Sequence, residues 1–309
     1  MRLKTTIIFF LLHLFFSLEV FSSENKILFK IENEIITSID LRNEYLYLLA
    51  LNPGLKSLSE LEILEISKKS LIKEKIKNIE ISKNIENPNL PIDYLERILQ
   101  SVYKKIQINN LNDFKKYLNI KNIKYEDVLQ KITIEALWNQ LILSKFSSKV
   151  KINENHLREK IEINNNRILK SYLLSEIFFE VSNKEKLKTK YNEITKTINE
   201  KGFNNAALIY SISETSNMGG ALDWINENSI NKKIKNILQD KKINEITKPI
   251  TVPGGFLILK INEIKNTKLT KDKNKELKRL IAISKNNQLN QFSKIYFNKI
   301  KKNTQINEL

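Results

Sequence analysis

Cysteine is absent from the sequence, and histidine occurs only twice, as His13 and His156. Without cysteine, neither disulfide bonds nor thiolate chemistry can contribute. With only two isolated histidines, a histidine-rich metal site, a Ser-His-Asp triad and a Cys-His pair are all close to excluded. We therefore expect no metal centre, and any reaction has to rely on other groups.

Glycine and proline are scarce, with six and five residues in a chain of 309. Five of the six glycines lie between Gly202 and Gly255. Glycine serves where φ must be positive or where two backbone segments approach closely. Residues 211–225 combine small polar side chains, the pair Gly219-Gly220 and a tryptophan. A compact module that depends on turns is therefore predicted around this stretch, in a chain otherwise dominated by helix patterns.

Acidic residues are outnumbered, with 35 Asp and Glu against 52 Lys and Arg, which gives a formal net charge of +17. A basic chain of this kind can bind nucleic acid. The lysines, however, are spread along the whole sequence, and pairs such as Lys232-Lys233 and Lys301-Lys302 are short. This distribution favours solvated helix faces over a nucleic-acid-binding stripe. No nucleic-acid partner is expected, although a basic surface would attract acidic or partly unfolded proteins.

The N-terminus has the pattern of an export signal. Arg2 and Lys4 precede an apolar run over residues 7–16, and the small residues Ser22 and Ser23 follow at a plausible cleavage site. This order is typical of a secretory signal peptide, which predicts that residues 1–22 are removed. The alternative is an uncleaved anchor, but the run is short for a membrane span of about 20 residues. The favoured location is the periplasm of a Gram-negative bacterium, with no stable membrane insertion after cleavage.

Residues 24–168 carry strand and helix patterns. Two apolar runs around Glu32-Asn33-Glu34 predict a hairpin over 26–37, and residues 38–40 offer caps for a first helix. Ser59 and Glu62 have the spacing of a capping box at the start of the next helix. Further helices are expected from about 92 to 107, 111 to 119 and 125 to 148. We interpret their apolar stripes as core, and nothing in this half indicates a reaction.

Residues 169–266 mix both patterns. The predicted order is a strand over 172–181, a helix ending at Lys201-Gly202, a short helix over 203–209, the glycine-rich loop, a strand, a helix bearing Ile230 and Ile234, and a final strand over 256–261. This order describes a small α+β domain with helices packed on a sheet. Residues 271–302 then continue as one long helix pattern, with a short strand predicted over 304–309.

Over this mixed segment the sequence resembles the parvulin, or PpiC-type, family of peptidyl-prolyl cis-trans isomerases. The resemblance rests on Tyr210-Ser211, Gly219-Gly220-Ala221-Leu222-Asp223-Trp224, Lys248-Pro249-Ile250, Pro253-Gly254-Gly255-Phe256 and Ile258-Leu259-Lys260. The first part of the chain resembles the N-terminal domain of SurA-type periplasmic chaperones, whose opening strands and first helix cap match residues 27–40.

These resemblances imply an α+β fold, with a mostly helical chaperone domain and one small parvulin-like α/β sandwich. They imply a helical domain over 24–168, a parvulin-like domain over 169–266, and a C-terminal segment over 267–309 whose helix packs on the N-terminal domain. The implied partners are unfolded or partly folded outer-membrane proteins. The resemblance leaves the oligomeric state open.

Prolyl isomerisation breaks no covalent bond. The barrier of about 18–20 kcal/mol falls when the amide loses resonance in an apolar, hydrogen-bonded groove. Such a groove needs shape and a few polar groups, so no cofactor is expected. Catalytic members of the family resemble one another in two facing histidines and a Cys or Asp. The matching positions of this chain hold Glu176, Leu257 and Ser213.

The positions that form the family's proline pocket match Ile230 and Ile234, and Met218 and Phe256 are further candidates for substrate binding. One hypothesis is a holdase that binds extended outer-membrane proteins in a cleft between the helical part and the parvulin-like module. The alternative is an active isomerase that uses Ser213, Glu176 and a dry pocket. The missing histidines favour the holdase. A third hypothesis, a membrane-anchored interaction domain, requires residues 1–22 to be retained.

Overall fold

The computed structural model describes residues 25–86, 88–163, 168–183, 185–268 and 272–309. The predicted signal peptide, residues 1–22, lies outside these ranges. Within them, no helix has both the length and the apolar character that crossing a membrane requires. The described chain is mostly helical, with two small antiparallel sheets. The predicted α+β fold class is confirmed.

The chain opens with the predicted hairpin, formed by β1 (Ile27–Ile31) and β2 (Glu34–Thr37), and α1 (Ser38–Leu51) follows at once. The cap of α1 is Thr37, one residue before the predicted 38–40. The Thr37 hydroxyl accepts the Asp40 N–H at 3.2 Å, while the Asp40 carboxylate accepts the Thr37 N–H at 2.8 Å. This reciprocal pair is a capping box, so the last strand residue is also the helix cap.

Five more helices complete the N-terminal part. They are α2 (Glu60–Asn84), α3 (Ile92–Lys105), α4 (Leu111–Ile120), α5 (Tyr125–Phe146) and α6 (Glu154–Ile163). α2 begins with the predicted capping box of Ser59 and Glu62. α5 lies centrally, because its buried residues from Ile134 to Ile142 share one apolar cluster with the first hairpin and α2.

The second sheet belongs to a separate set of elements, which we call the sheet module. It consists of β3 (Ile168–Phe179), α7 (Lys186–Lys201), α8 (Phe203–Tyr210), β4 (Ala221–Asn226), α9 (Lys232–Gln239), β5 (Ile250–Val252) and β6 (Gly255–Lys268). The strand order is β4-β3-β6-β5, with antiparallel neighbours. The sequence did not predict β5, because three residues are too short to show alternation.

Alternation of side chains along β3 and β6 divides the core of the sheet module into two layers. Tyr172, Leu174 and Leu259 pack on one face with residues of α9. Ile177 and Ile258 pack on the other face with residues of α7 and α8. The sheet is therefore covered by helices on both faces, and the face toward α9 is the one that also opens to the candidate site below.

The C-terminal helix α10 (Lys273–Asn303) packs against the N-terminal helices. Trp138 Nε1 of α5 donates to Ser293 Oγ at 2.8 Å, and the rings of Phe146 and Phe292 stack with centroids 5.2 Å apart. The last strand, β7 (Ile306–Glu308), pairs antiparallel with β1. We call the set from β1 to α6, together with α10 and β7, the helical body.

One contact between the sheet module and the helical body is made by α8. Leu208 packs in a cluster with body residues that include Leu48, Leu55 and Ile66. At the same interface, Lys201 at the end of α7 forms an ion pair with Glu62 at the start of α2. Apolar burial and one ion pair thus fix the module on the face of α2.

A charged cluster is buried inside the helical body. Lys131 Nζ lies 2.6 Å from Glu44 Oε2 and also bonds to Glu74. Burial alone would lower the pKa of Lys131, but the two carboxylates raise it overall. Burial raises the pKa of Glu74 above its usual value, and raises that of the neighbouring Tyr47 phenol as well. The lysine is therefore charged, and it compensates the buried carboxylate of Glu44.

Candidate functional site

A cavity of about 640 Å³ lies between the sheet module and the helical body. The sheet module contributes residues of its strands and α9, and the body contributes residues of α6 and α10. Small-molecule sites have volumes of ~300–1,000 Å³. The cavity therefore accommodates a short peptide segment and is too small for a folded domain.

Aliphatic side chains of the sheet module form one wall, which we call the apolar wall. They are Leu174, Leu222, Ile225, Ile230, Ile234, Val252, Leu257 and Leu259. The side-chain oxygen of Asn231 accepts the N–H of Ile234 at 2.8 Å and caps α9. This cap fixes the start of α9 beside β6. Three residues predicted from the sequence, Ile230, Ile234 and Leu257, are thereby brought together.

The facing wall is mostly polar, although it also includes the apolar Leu157, Leu280 and Ile283 and the charged Lys160 and Lys294. α10 contributes Ser284, Asn287, Gln288, Asn290 and Gln291, which we call the amide wall. Gln288 exchanges two hydrogen bonds with the backbone of Lys151, at 3.0 and 2.8 Å, and so ties α10 to the segment before α6. Within the described ranges, Asn287, Asn290 and Gln291 make no side-chain hydrogen bond. Their amides can both donate to and accept from a bound peptide.

Glu176, on β3, also lines the cavity. It is only 8% exposed. Its Oε1 accepts the Thr215 hydroxyl at 2.9 Å, and Lys294 Nζ lies 3.4 Å from the same oxygen. Burying a carboxylate costs free energy unless it is hydrogen-bonded or paired. The hydroxyl and the ammonium group together compensate that cost.

Ser213 is fully buried and reaches Glu176 through Thr215. Ser211 Oγ lies 2.9 Å from Ser213 Oγ, which lies 2.7 Å from Thr215 Oγ1. Because a carboxylate only accepts, the Thr215 hydrogen is committed to Glu176, so Ser213 donates to Thr215 and Ser211 donates to Ser213. Ser211 Oγ accepts the N–H of Phe178 at 3.0 Å. We call these four side chains, Ser211, Ser213, Thr215 and Glu176, the hydroxyl chain.

The pair Gly219-Gly220 holds the loop of the hydroxyl chain against β3. Both residues have left-handed backbones, with φ of 66° and 76°. The Gly220 carbonyl accepts the Glu176 N–H at 2.8 Å, and a Cβ at Gly220 would lie 2.1 Å from the Glu176 carbonyl oxygen. Only glycine permits both the conformation and the approach. The glycine pair therefore positions Thr215 next to Glu176.

Met218 and Phe256, the other two substrate-binding candidates, do not line the cavity. Phe256 precedes Leu257 in β6, so its side chain lies on the opposite face, where its ring centroid is 5.9 Å from that of Phe179. Met218 is 41% exposed, and its sulfur lies 2.8 Å from Lys105 Nζ of α3. The structure thus separates these two residues from Ile230 and Ile234.

Thr215, Lys294 and the amide wall were not predicted from the sequence. Thr215 lies in a short 3-10 helix over Glu214–Met218, so no strand pattern in the sequence shows that its hydroxyl reaches Glu176. Lys294 lies 118 residues from Glu176, and no local pattern shows which surface its helix will cover. Among the described residues, no group of three His, Asp or Glu side chains is placed to hold a metal ion.

Residues 175–263 match the family model described as the rotamase, PPIC-type PPIASE domain. The chain carries a PPIC-type domain. The predicted parvulin resemblance is thereby confirmed, and the sheet module is called the PPIC-type domain from here on. Of the three positions that hold the family's polar groups, Glu176 and Ser213 are joined through Thr215, while Leu257 belongs to the apolar wall.

Similarity extends beyond this domain. Chaperone SurA of Pseudomonas putida is 21% identical over 163 residues, which are 50% of this chain and 38% of that protein, so the match spans well under half of the relative. A SurA-like chaperone structure from Campylobacter jejuni is 17% identical and covers 92% of this chain and 99% of its own, with a TM-score of 0.33. The structure of PrsA, a peptidylprolyl isomerase of Bacillus anthracis, is 19% identical and covers 77% of this chain and 98% of its own, with a TM-score of 0.33. At TM-scores of 0.33, these superpositions support no conclusion about the fold or the function of this chain.

Proposed function

We propose that the protein is a periplasmic chaperone that holds unfolded outer-membrane proteins in the cavity between the helical body and the PPIC-type domain. In this proposal the chaperone part comprises residues 24–168 and 267–309 and the PPIC-type domain comprises residues 169–266, although the paired ends of β3 and β6 extend to Ile168 and Lys268. The observation that carries the proposal is the contrast between the apolar wall and the amide wall of one cavity.

Strands of membrane β-barrels alternate apolar and polar side chains. Successive side chains of an extended segment point to opposite sides. Such a segment in the cavity would place its apolar side chains on residues such as Ile225 and Ile234. Its polar side chains would then lie against Asn287 and Gln291. The two-sided cavity supports barrel strands as clients over uniformly apolar or uniformly polar segments.

Substituting one residue in each wall separately tests this proposal. Ile234→Asn puts an amide into the apolar wall, and Asn287→Leu puts an apolar group into the amide wall. Each change is expected to weaken binding of an unfolded barrel protein about tenfold, which corresponds to ~1.4 kcal/mol. The measurements are the dissociation constant and the suppression of client aggregation by the full chain.

Two variants outside the cavity serve as matched controls. Ile243→Asn changes an exposed isoleucine, and Asn286→Leu changes an exposed asparagine of α10 that does not line the cavity. Both are expected to bind the client as the unaltered chain does. If the cavity variants bind as tightly as these controls, clients bind elsewhere and the proposal is wrong.

A second candidate function is peptidyl-prolyl isomerisation of exported proteins, and the hydroxyl chain is the observation that favours it. The hydroxyl chain ends on Glu176, beside the apolar wall, in which Ile230 and Ile234 match positions of the family's proline pocket. A prolyl-peptide assay on the full chain tests it. Acceleration that Ser213→Ala and Ile234→Ala abolish, and that the exposed-site control Ser82→Ala preserves, supports catalysis. If the unaltered chain does not accelerate isomerisation, the isomerase candidate is wrong and the holdase is the remaining function.

The periplasmic location depends on residues 1–22. The basic start and the apolar run over 7–16 support export. N-terminal sequencing of the exported protein is expected to find a start near residue 23. An intact N-terminus in the membrane fraction would instead support a membrane-anchored interaction domain.

A further inference from the structure

We propose that the polar site of the PPIC-type domain is completed by two lysines of the helical body. Lys73 of α2 and Lys294 of α10 contact the hydroxyl chain from opposite sides and act as positioning residues. The catalytic part of this proposal rests on the isomerase candidate above. The structural part stands on the contacts of the two lysines and has its own test.

Lys294 contacts the end of the hydroxyl chain. Its Nζ lies 3.4 Å from Glu176 Oε1, the oxygen that also accepts the Thr215 hydroxyl. The same ammonium group lies 4.6 Å from the ring centroid of Phe178, the residue whose N–H begins the chain. A cation over an aromatic face is attracted to it. The ring and the carboxylate therefore hold Lys294 in place, and Lys294 in turn orients Glu176 toward Thr215.

Lys73 contacts the middle of the hydroxyl chain through the backbone. Its Nζ donates to the carbonyl oxygen of Ser213 at 3.2 Å. One helical turn away on α2, Lys69 Nζ lies 3.5 Å from the carbonyl oxygen of Ile209. Hydrogen bonds with a charged donor are stronger than neutral ones. The segment that carries Ser211 and Ser213 is thus held on β3 from one side and on α2 from the other.

The hydroxyl chain is directional only while Glu176 accepts from Thr215. If either lysine is lost, the carboxylate or the Ser213 peptide can turn, and the hydroxyl groups can bond in other orders. Polar groups accelerate a reaction when they are oriented before it begins. The site is therefore fully formed only while the PPIC-type domain is docked on the body.

Hydrogen–deuterium exchange of the full chain tests the positioning. Lys294→Met and Lys73→Met are expected to speed amide exchange over residues 211–218 about tenfold. Lys299→Met and Lys83→Met change exposed lysines of the same two helices and are the matched controls. They are expected to leave exchange in this segment unchanged. Equal exchange in test and control variants would overturn the proposal.

Prolyl isomerisation by the same full-length variants tests the catalytic part. Lys294→Met is expected to lower kcat about tenfold with little change in KM, and Lys294→Arg to restore it. In a Glu176→Gln background, Lys294→Met should have no further effect, because Lys294 acts through that carboxylate. Equal activity of Lys294→Met and Lys299→Met would contradict this part. If the unaltered chain is inactive, the isomerase candidate fails, and exchange alone decides the positioning.

Discussion

Gly220 lies where the loop of the hydroxyl chain meets β3, and this contact leaves no space for a side chain. The sequence alone indicated a tight turn at Gly219-Gly220, because glycines are otherwise rare in the chain. It could not indicate that the neighbouring segment would be the backbone of Glu176. That partner lies 44 residues earlier in the numbering of the chain, and only the folded sheet brings the two together.

Gly220→Ala is expected to destabilise the PPIC-type domain by about 2 kcal/mol or more, because its Cβ would collide with a carbonyl oxygen. Gly202→Ala is the matched control. Gly202 also has a left-handed φ, of 85°, but a Cβ there meets no atom within 4 Å. Urea unfolding followed by circular dichroism measures both. If both variants lose the same unfolding free energy, the cost of Gly220→Ala comes from backbone strain alone and not from the close approach to β3.

Lys131→Met is expected to destabilise the helical body by about 3–5 kcal/mol, because it leaves buried carboxylates without their cation. Glu44 is only 1% exposed and cannot be hydrated in its place. Lys116→Met removes an exposed pair with Asp113 and is expected to cost less than ~0.5 kcal/mol. Urea unfolding measures the free energy of unfolding of both variants. If Lys131→Met lowers it as little as Lys116→Met does, Lys131 does not compensate the buried carboxylate of Glu44.

At the scale of helices and strands, most of the sequence information came from capping residues, from helical spacing of apolar residues and from apolar runs. The capping box of Ser59 and Glu62 predicted the start of α2, and apolar runs predicted both long strands of the PPIC-type domain. Several boundaries differed. The first helix is capped by Thr37, and the strands predicted over 172–181 and 256–261 are Ile168–Phe179 and Gly255–Lys268 in the structure. The short strand β5 was missed, because it has no pattern of its own. None of these local signals showed that Glu62, at the start of α2, would form an ion pair with Lys201 at the end of α7.

The contact between the start of α2 and the end of α7 predicts a dependence on pH. The hydrogen bond from Lys201, followed by that from the Ser59 N–H, holds the pKa of Glu62 below its usual value of 4.5. A lowered pKa in the folded chain contributes stability above the usual value, and that contribution is lost as the pH falls through the folded pKa.

The difference in unfolding free energy between the unaltered chain and Glu62→Gln is therefore expected to be constant above about pH 5. It is expected to shrink as the pH falls below 4.5, the usual pKa of the group. Unfolding in urea at a series of pH values measures it. A difference that grows on acidification would contradict the assigned direction of the pKa shift.

At the scale of the whole molecule, the sequence predicted the fold class, the family of one domain and a cleft between that domain and the helical part, but not the residues of the helical part that line the cleft. Part of the apolar wall could be predicted, because Ile230 and Ile234 match the family's proline-pocket positions and Leu257 matches one of its histidine positions. The amide wall lies on α10, and the order of elements along a chain does not determine which face of a terminal helix will cover a distant sheet. A site built from two parts of the chain therefore becomes visible only in the folded structure.

The central claim is that an unfolded client binds between the apolar wall and the amide wall. Photo-cross-linking tests it most directly, with a photoreactive residue placed at Ile225 in the cavity or at the exposed Ile243 outside it. The ligands are a peptide with alternating apolar and polar residues and a peptide of the same composition with the alternation removed. The account predicts strong cross-linking of the alternating peptide at position 225 and little at position 243. Equal cross-linking at both positions, or equal yields for both peptides, would contradict it.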